Sequence, residues 1–334
     1  MDPGAPSPPL PVSPAEPRRL RIGVSACLLG QEVRYNGGHK RDAFLTDLFG
    51  RYVEWVPVCP EVEIGLGTPR PPIRLERPGD ESSPVRLVMP DTGEDLTGRM
   101  RSYAERRVEA LAGLELAGYV LKKDSPSCGM ERVKVYNSSI PAKDGRGLFA
   151  ETLMQLLPDL PVEEEGRLND PPLRESFITR VFVHDRWQEQ NRKGWTRAGL
   201  MRFHERHKLL LMARNQSAMR RLGRLLGDSG PGSDPASLAR EYRRGLTEIL
   251  RRPPTRRGHT NVLHHLLGYV SNALDREDRA EMVETIERYH QGLVPLIVPL
   301  TLLRHHVRRQ GVEYLQGQHY LEPHPHELML LNHV

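Results

Sequence analysis

The sequence predicts an α/β fold. The N-terminal domain should carry a mostly parallel sheet flanked by helices, and an all-α C-terminal domain should follow it. Three observations carry this reading. Short apolar runs at 22–24, 53–58 and 119–121 are each closed by turn residues. The stretches between them are long enough for crossover helices, which makes the strands parallel. Beyond residue 175 the apolar residues recur at helical spacing in one segment after another.

The elements follow in order. Residues 20–26 read as the first strand, and 30–40 as a polar loop carrying Arg34-Tyr-Asn-Gly-Gly-His-Lys40. Phe44, Leu45, Leu48 and Phe49 give 42–49 helical spacing, and 53–58 is the second strand. Repeated Gly and Pro make 60–74 a loop, and 75–89 reads as a strand pair around a polar turn. A helix over 97–117 ends at Gly118, and the third strand is 119–121. Residues 133–147 read as loop, 148–157 as helix and 158–162 as the start of a last strand. Leu168-Asn-Asp-Pro-Pro172 is a joint. Helices are then expected over 175–191, 196–212, 217–226, 237–251, 261–274, 277–291 and 298–309. This divides the chain into a Pro-rich disordered leader (1–18), an α/β domain (19–166) and a helical domain (167–334).

At 334 residues the chain can bury a proper core, and 38% hydrophobic with 27% charged residues is ordinary globular composition. No apolar run is long enough to span a bilayer, so no membrane role is expected. The leader lacks the apolar stretch of a signal peptide, and the cytoplasm is the expected location. No protein partner is inferred. Charge is uneven: residues 1–160 carry 21 Lys and Arg against 22 Asp and Glu, the remainder 27 against 21. Thirteen of the 14 histidines also follow residue 160. A basic second half suggests a polyanion partner, set against the plainer reading of a solvated Arg-rich surface.

The chain has three cysteines, Cys27, Cys59 and Cys128, and each lies just past one of the three apolar runs. In an open α/β sheet ligands bind at the carboxyl ends of the strands. Three thiols there would converge on one site and suit a soft metal centre, above all an iron–sulfur cluster. Their odd number and the lack of a secretory signal argue against a disulfide. Each alone could be a small buried hydrophobe.

These residues carry a resemblance. Through Ser25-Ala-Cys-Leu-Leu-Gly30, Cys59-Pro-Glu-Val-Glu-Ile-Gly-Leu-Gly-Thr-Pro-Arg70 and Ser125-Pro-Ser-Cys-Gly129, residues 20–165 resemble the TudS desulfurase family. Through Phe203-His-Glu-Arg-His-Lys-Leu209, Pro254-Thr-Arg-Arg-Gly-His-Thr-Asn261 and Tyr320-Leu-Glu-Pro-His-Pro325, residues 175–334 resemble the YbgA domain. The resemblance implies a [4Fe-4S] cluster held by the three cysteines with one iron open to substrate. It implies non-redox desulfuration of a thiolated pyrimidine, with 4-thiouridine in tRNA as the favoured substrate. Free thiouracil or 4-thiouridine monophosphate is the alternative, and a cluster-bearing sensor without turnover is the alternative of another class.

Water attack needs a base. Glu61, two residues past Cys59, is the expected base, with Glu63 as alternative. Ser125 is the expected proton relay, and Ser127 a contact to the substrate or to the loop backbone. Arg70 on its Pro-rich loop suits a phosphate, and Lys122 a phosphate or the pyrimidine. In the second half Lys208, Arg256 and Arg257 are candidate RNA backbone contacts, with ordinary helix-surface charge as the plain alternative.

Overall fold

The computed structural model describes residues 19–79, 82–137, 141–230 and 232–333, so the expected leader at 1–18 lies outside the described residues. Strands are β1 (Leu20–Ser25), β2 (Val53–Val58), β3 (Arg74–Glu76), β4 (Arg86–Met89), β5 (Glu94–Asp95), β6 (Gly118–Leu121), β7 (Val133–Tyr136), β8 (Ala142–Gly145) and β9 (Val162–Glu164). Helices in the first half are α1 (Pro60–Glu63), α2 (Thr97–Ala112) and α3 (Leu148–Leu156). The second half holds α4 (Pro171–Arg192), α5 (Arg197–Asp228), α6 (Pro235–Leu250), α7 (Arg256–Val270), α8 (Arg276–His290), α9 (Ile297–Gln310) and α10 (Glu313–Gln316).

The expected parallel sheet is present, in the order β2-β1-β6-β9. β6 is buried along its length and β1 at all but Arg21, as central strands covered on both faces require. Tyr119 and Leu121 join the apolar cluster of α2 and α3, whereas Val120 points the other way with Ile22 and Val24. A Cβ on Gly23 would lie 2.1 Å from the Tyr119 ring, so glycine there makes room for the tyrosine.

A second sheet, β5-β4-β3-β7-β8, lies beyond α2 and α3 and packs Leu75, Leu87, Val133 and Val135 against Met100, Tyr103 and Phe149. The strand pair at 75–89 is met by antiparallel β3 and β4, but β7 and β8 replace the loop expected at 133–147. The edge strand Ala-Lys-Asp-Gly has no apolar alternation to announce it. The last strand also begins later than expected, because Pro158 and Pro161 have no N–H for a ladder. Helix α2 stops at Ala112, where Gly113 and a left-handed Glu115 (φ 52°) turn the chain into β6.

The second half is helical as expected. The helices read at 196–212 and 217–226 form one run broken at Asn215, whose backbone is extended (φ −159°, ψ 97°). Its Oδ1 accepts the Ala218 N–H at 3.0 Å and so caps the second part. Residues 256–260, read as loop, are instead the first turn of α7, capped by Thr255 on the Gly258 N–H at 3.0 Å. The two halves share a core: Phe177, Ile178 and Val181 of α4, with Leu328 and Leu330 of the tail, pack on Ile22, Val24, Leu28 and Val120. Among the described residues no helix is long and apolar enough to cross a membrane.

Candidate active site

The strand order reverses direction between β1 and β6, which opens a crevice at their carboxyl ends. A cavity of about 520 Å³ lies there, and Cys27, Cys59 and Cys128 all line it. Cys27 stands in the short 3₁₀ turn Ala26–Leu29 directly after β1. Cys59 follows β2 and caps α1, its N–H donating to Glu63 Oε1 at 3.1 Å. Cys128 sits on a loop after β6 that docks onto the start of α3. The Phe149 and Ala150 N–H groups donate to the Ser127 carbonyl at 3.0 and 3.2 Å, and Gly147 N–H donates to Gly129 at 2.8 Å. A Cβ on Gly147 would stand 2.4 Å from the Ser127 carbonyl carbon, so the close approach needs glycine.

Burial pushes all three thiols upward, Cys27 to about 11 and Cys128 well above the usual thiol range. Lys122 opposes the shift at Cys27, and a hydrogen bond from Ser25 opposes it at Cys128. Three thiolates here, two buried and one half-buried, therefore need positive charge among them. Among the described residues no three His, Cys, Asp or Glu side chains close tightly enough to hold a single metal ion. The thiols border a shared cavity instead. Three soft donors lining one cavity larger than a single ion fit a polynuclear iron–sulfur centre.

Glu61 lines the same cavity. Ser127 Oγ donates to its Oε1 at 3.1 Å, and Arg70 Nε donates to its Oε2 at 3.1 Å. Glu63 does not share this orientation. Residues 60–63 form a helical turn and not a strand, so positions two apart diverge by roughly 200°. Glu63 faces Tyr103, which donates at 2.7 Å, and Arg107 at 3.2 Å.

Arg70 corrects an expectation. Its side chain is only 2% exposed, and its N–H groups are spent on Glu61, on the Gly67 carbonyl at 2.8 Å and on the Val33 carbonyl at 3.0 Å. It anchors the carboxylate and the 33–35 loop, and is not turned out to meet a phosphate. Ser125 takes on a backbone role as well. Ser125 Oγ accepts the N–H groups of Ser127 (3.2 Å) and Cys128 (3.1 Å), the backbone duty expected of Ser127. Both lone pairs of Ser125 are then engaged, and its remaining capacity is the proton, at a position lining the cavity. Ser127 is fully buried and holds Glu61 from behind.

Lys122 lines the cavity, ion-paired to Glu165 and donating to the Lys123 carbonyl at 3.0 Å. Its own N–H donates to Ser25 Oγ at 3.0 Å, so Ser25 ties the ends of β1 and β6 together beside Cys128. Glu165 was not read as part of the site. The signal available was its position straight after β9, at the same sheet edge. Tyr35, 44% exposed, and Arg34 above its ring line the mouth. Lys208 on α5 is half-buried, and Arg256 and Arg257 are exposed at the start of α7; none of the three lines this cavity.

A parallel-sheet unit with three thiols and an anchored carboxylate at its carboxyl edge, followed by a helical unit, defines the class. The comparisons with known proteins are more specific. Residues 22–165 match the family model for 2-thiouracil desulfurase, and residues 208–325 match that of a protein of unknown function, DUF1722. The chain therefore carries a domain of the 2-thiouracil desulfurase family followed by a DUF1722 domain of the YbgA kind. The uncharacterized protein YbgA of Escherichia coli (strain K12) is 30% identical over 156 residues, 47% of this chain and 92% of its own. The uncharacterized protein YbbK of Bacillus subtilis (strain 168) is 31% identical over 153 residues, 45% of this chain and 98% of its own. A solved structure, the [4Fe-4S]-dependent thiouracil desulfidase TudS, is 32% identical with a TM-score of 0.35 and covers 46% of this chain and 95% of that one.

Proposed function

We propose that the protein is an iron–sulfur-dependent desulfidase that converts 4-thiouridine in tRNA to uridine with release of sulfide. One observation carries the reading: the three cysteines of the chain and a carboxylate anchored by Arg70 and Ser127 share one cavity at the carboxyl edge of a parallel sheet. Membership of the 2-thiouracil desulfurase family supports the reaction class.

Cys27, Cys59 and Cys128 would hold a [4Fe-4S] centre, whose iron without a protein thiolate supplies a soft Lewis acid for a thiocarbonyl sulfur. The chain's own residues do the rest. Glu61 keeps a lone pair free on Oε1, its Oε2 being filled by Nε and Nη2 of Arg70, and takes a proton from the water that adds at the thiocarbonyl carbon. Arg70 and Ser127 fix the orientation of that carboxylate. Ser125 offers its hydroxyl proton to the substrate edge or the departing sulfur. Lys122, paired with Glu165, places a cation beside Cys27 and the pyrimidine. The carbon–sulfur bond is exchanged for carbon–oxygen, water gives its oxygen to the carbon and its two protons to the departing sulfide, and no oxidation or reduction takes place.

The tRNA substrate is supported by the surplus of basic over acidic residues after residue 160 and by Tyr35 and Arg34 at the mouth, where a flanking base would stack. The test is anaerobic reconstitution with iron and sulfide quantified, then incubation with 4-thiouridine-containing tRNA and with 4-thiouridine monophosphate. Loss of thiocarbonyl absorption with matching sulfide on tRNA is the expected result. Turnover of the monophosphate alone would keep the enzyme and remove the RNA substrate, and a bound centre with no turnover on either would favour a sensor.

A further inference from the structure

We infer that the joint between the two halves holds a binding site for one small inorganic anion, of the size of chloride or orthophosphate. A cavity of about 40 Å³ lies where the loop before β9 meets α4 and α6, and Asp159, Arg180, His184, Arg243, Thr247 and Arg251 line it. That space takes one small ion or one or two waters, and no nucleotide. Arg180 comes from α4, Arg243 from α6 and Arg251 from the residue directly after α6, and Asp159 is the one acid among the lining residues.

That acid is already engaged. Asp159 Oδ1 accepts from Thr247 Oγ1 at 2.8 Å, and its Oδ2 lies 3.5 Å from Arg243 Nε. Arg243 also donates to the Asp159 carbonyl at 3.1 Å and to His184 Nδ1, so this pair neutralises itself. Arg180 is left with less. Its Nη2 lies 3.4 Å from Glu163, but Glu163 also accepts from Arg167 at 2.7 Å. Arg180 Nε is buried with no partner among the described residues. Arg251 makes one bond, from Nη2 to the Pro158 carbonyl at 3.4 Å, and no ion pair among the described residues. Four guanidinium groups (Arg167, Arg180, Arg243, Arg251) thus stand against two carboxylates (Asp159, Glu163). His184 does not add to the charge, because burial and Arg243 hold it well below the usual imidazole range.

Desolvating a cation without a partner is costly, and the Arg180 side chain is only 16% exposed. Burial brings its guanidinium down to about 10 although Glu163 opposes the shift, and Arg214, Arg167 and Arg251 push the same way as burial. A water on Arg180 Nε would satisfy the donor and leave the charge. An anion does both, accepting from Nε and from the Arg251 guanidinium. It fastens the helical half to the loop that leads into β9, the strand followed by Glu165, the partner of Lys122.

The test uses the full chain at fixed pH and ionic strength, with gluconate as the bulky reference anion. Replacing gluconate by chloride, and in a second arm by orthophosphate, should raise the melting midpoint progressively with concentration, as a ligand of the folded chain does. The line width of the chloride NMR signal reports the ion directly. Broadening by the parent that orthophosphate reverses assigns one site to both anions. Broadening that orthophosphate leaves in place assigns it to chloride, and a midpoint raised by orthophosphate alone assigns it to the oxyanion. Arg180→Gln and Arg251→Gln should each raise the anion concentration giving half the effect by at least about tenfold, the worth of one charged hydrogen bond. Arg251→Gln carries the test if Arg180→Gln does not fold, since Arg251 gives up a single backbone bond. Arg240→Gln, at an exposed arginine of α6 that does not line the cavity, should respond like the parent. No response of the parent to either anion, a parent-like response of Arg251→Gln, or an equal loss in Arg240→Gln would overturn the site. None of these readouts needs a cluster or a substrate, so the desulfidase reading stands or falls separately.

Discussion

Replacing Arg70 by glutamine separates anchoring of the carboxylate from capture of a phosphate. The Arg70 and Glu61 side chains are 2% and 15% exposed, and the guanidinium also holds the carbonyls of Val33 and Gly67. Removing one partner of a buried ion pair costs about 3–5 kcal/mol, and glutamine can keep one of the bonds, so the lower figure applies. At about 2–4 °C for each kcal/mol, the melting midpoint of the full chain should fall by about 6–12 °C. A base that loses its orientation should slow turnover by at least about tenfold. Because the defect lies in the carboxylate, the loss should be equal on free thiouracil and on 4-thiouridine monophosphate. Calorimetry and steady-state turnover on both substrates check this. A raised KM for the monophosphate alone, with kcat and midpoint unchanged, would refute the anchoring role and restore the phosphate reading.

The serines should separate in the same assay. Ser127→Ala strips the donor behind Glu61 and should lower kcat with little change in KM, at about 1–3 kcal/mol of stability. Ser125→Ala removes the cavity-facing proton and frees the Cys128 N–H, so it should lower turnover and also the iron retained per chain after gel filtration. Gly147→Ala should destabilise by about 1–3 kcal/mol and loosen the Cys128 loop, measured by melting and iron retention; a parent-like value of both would refute the close-packing argument. Burial, reinforced at His184 by Arg243 and at His207 by His319, holds both histidines well below the usual imidazole range. The unfolded chain then takes up protons first, so stability present above about pH 6.5 should be lost as pH falls, by up to about 1.4 kcal/mol per unit for each. Melting from pH 7.5 to 5 tests this, and a flat midpoint would contradict it.

The sheet and the thiols were legible because each signal is local. Ile22, Val24, Val120 and Leu121 are continuous apolar runs, and the cysteines follow them within a few residues. The helix breaks at Asn215 and Gly227 could be read because side-chain capping and glycine act on their own backbone. Three things escaped. The edge strand β8 is polar and pairs only through backbone groups supplied by β7. The facing of Glu63 depended on whether 60–63 was helix or strand, a choice that reverses a side chain two residues on. The partners of Arg70 and Glu165 come from loops far apart in sequence, 37 residues to Val33 and 43 to Lys122, and no periodicity encodes such contacts.

The shared core changes how the helical half bears on the chemistry. A cut after residue 166 would leave β1 without Phe177, Ile178, Val181, Leu328 and Leu330, which cover the face opposite α2 and α3. Cys27 and Leu28 belong to that same apolar cluster, so the turn that presents the first thiol rests in part on residues from the far end of the chain. The contact is reinforced by polar groups across the joint. Arg180 reaches the Val162 carbonyl at 3.3 Å, Gln188 the Leu116 carbonyl at 3.2 Å, and Thr247 donates to Asp159 Oδ1 at 2.8 Å. An excised first half that failed to turn over would therefore say nothing about RNA, since it would lack the packing beneath Cys27. The role of the helical half has to be read in the intact chain, from surface variants that leave this core alone. Polar substitution at Leu328 and Leu330 should instead lower iron retention and melting together. A lowered melting midpoint with iron retention unchanged in that variant would mean that the tail does not support the thiol site.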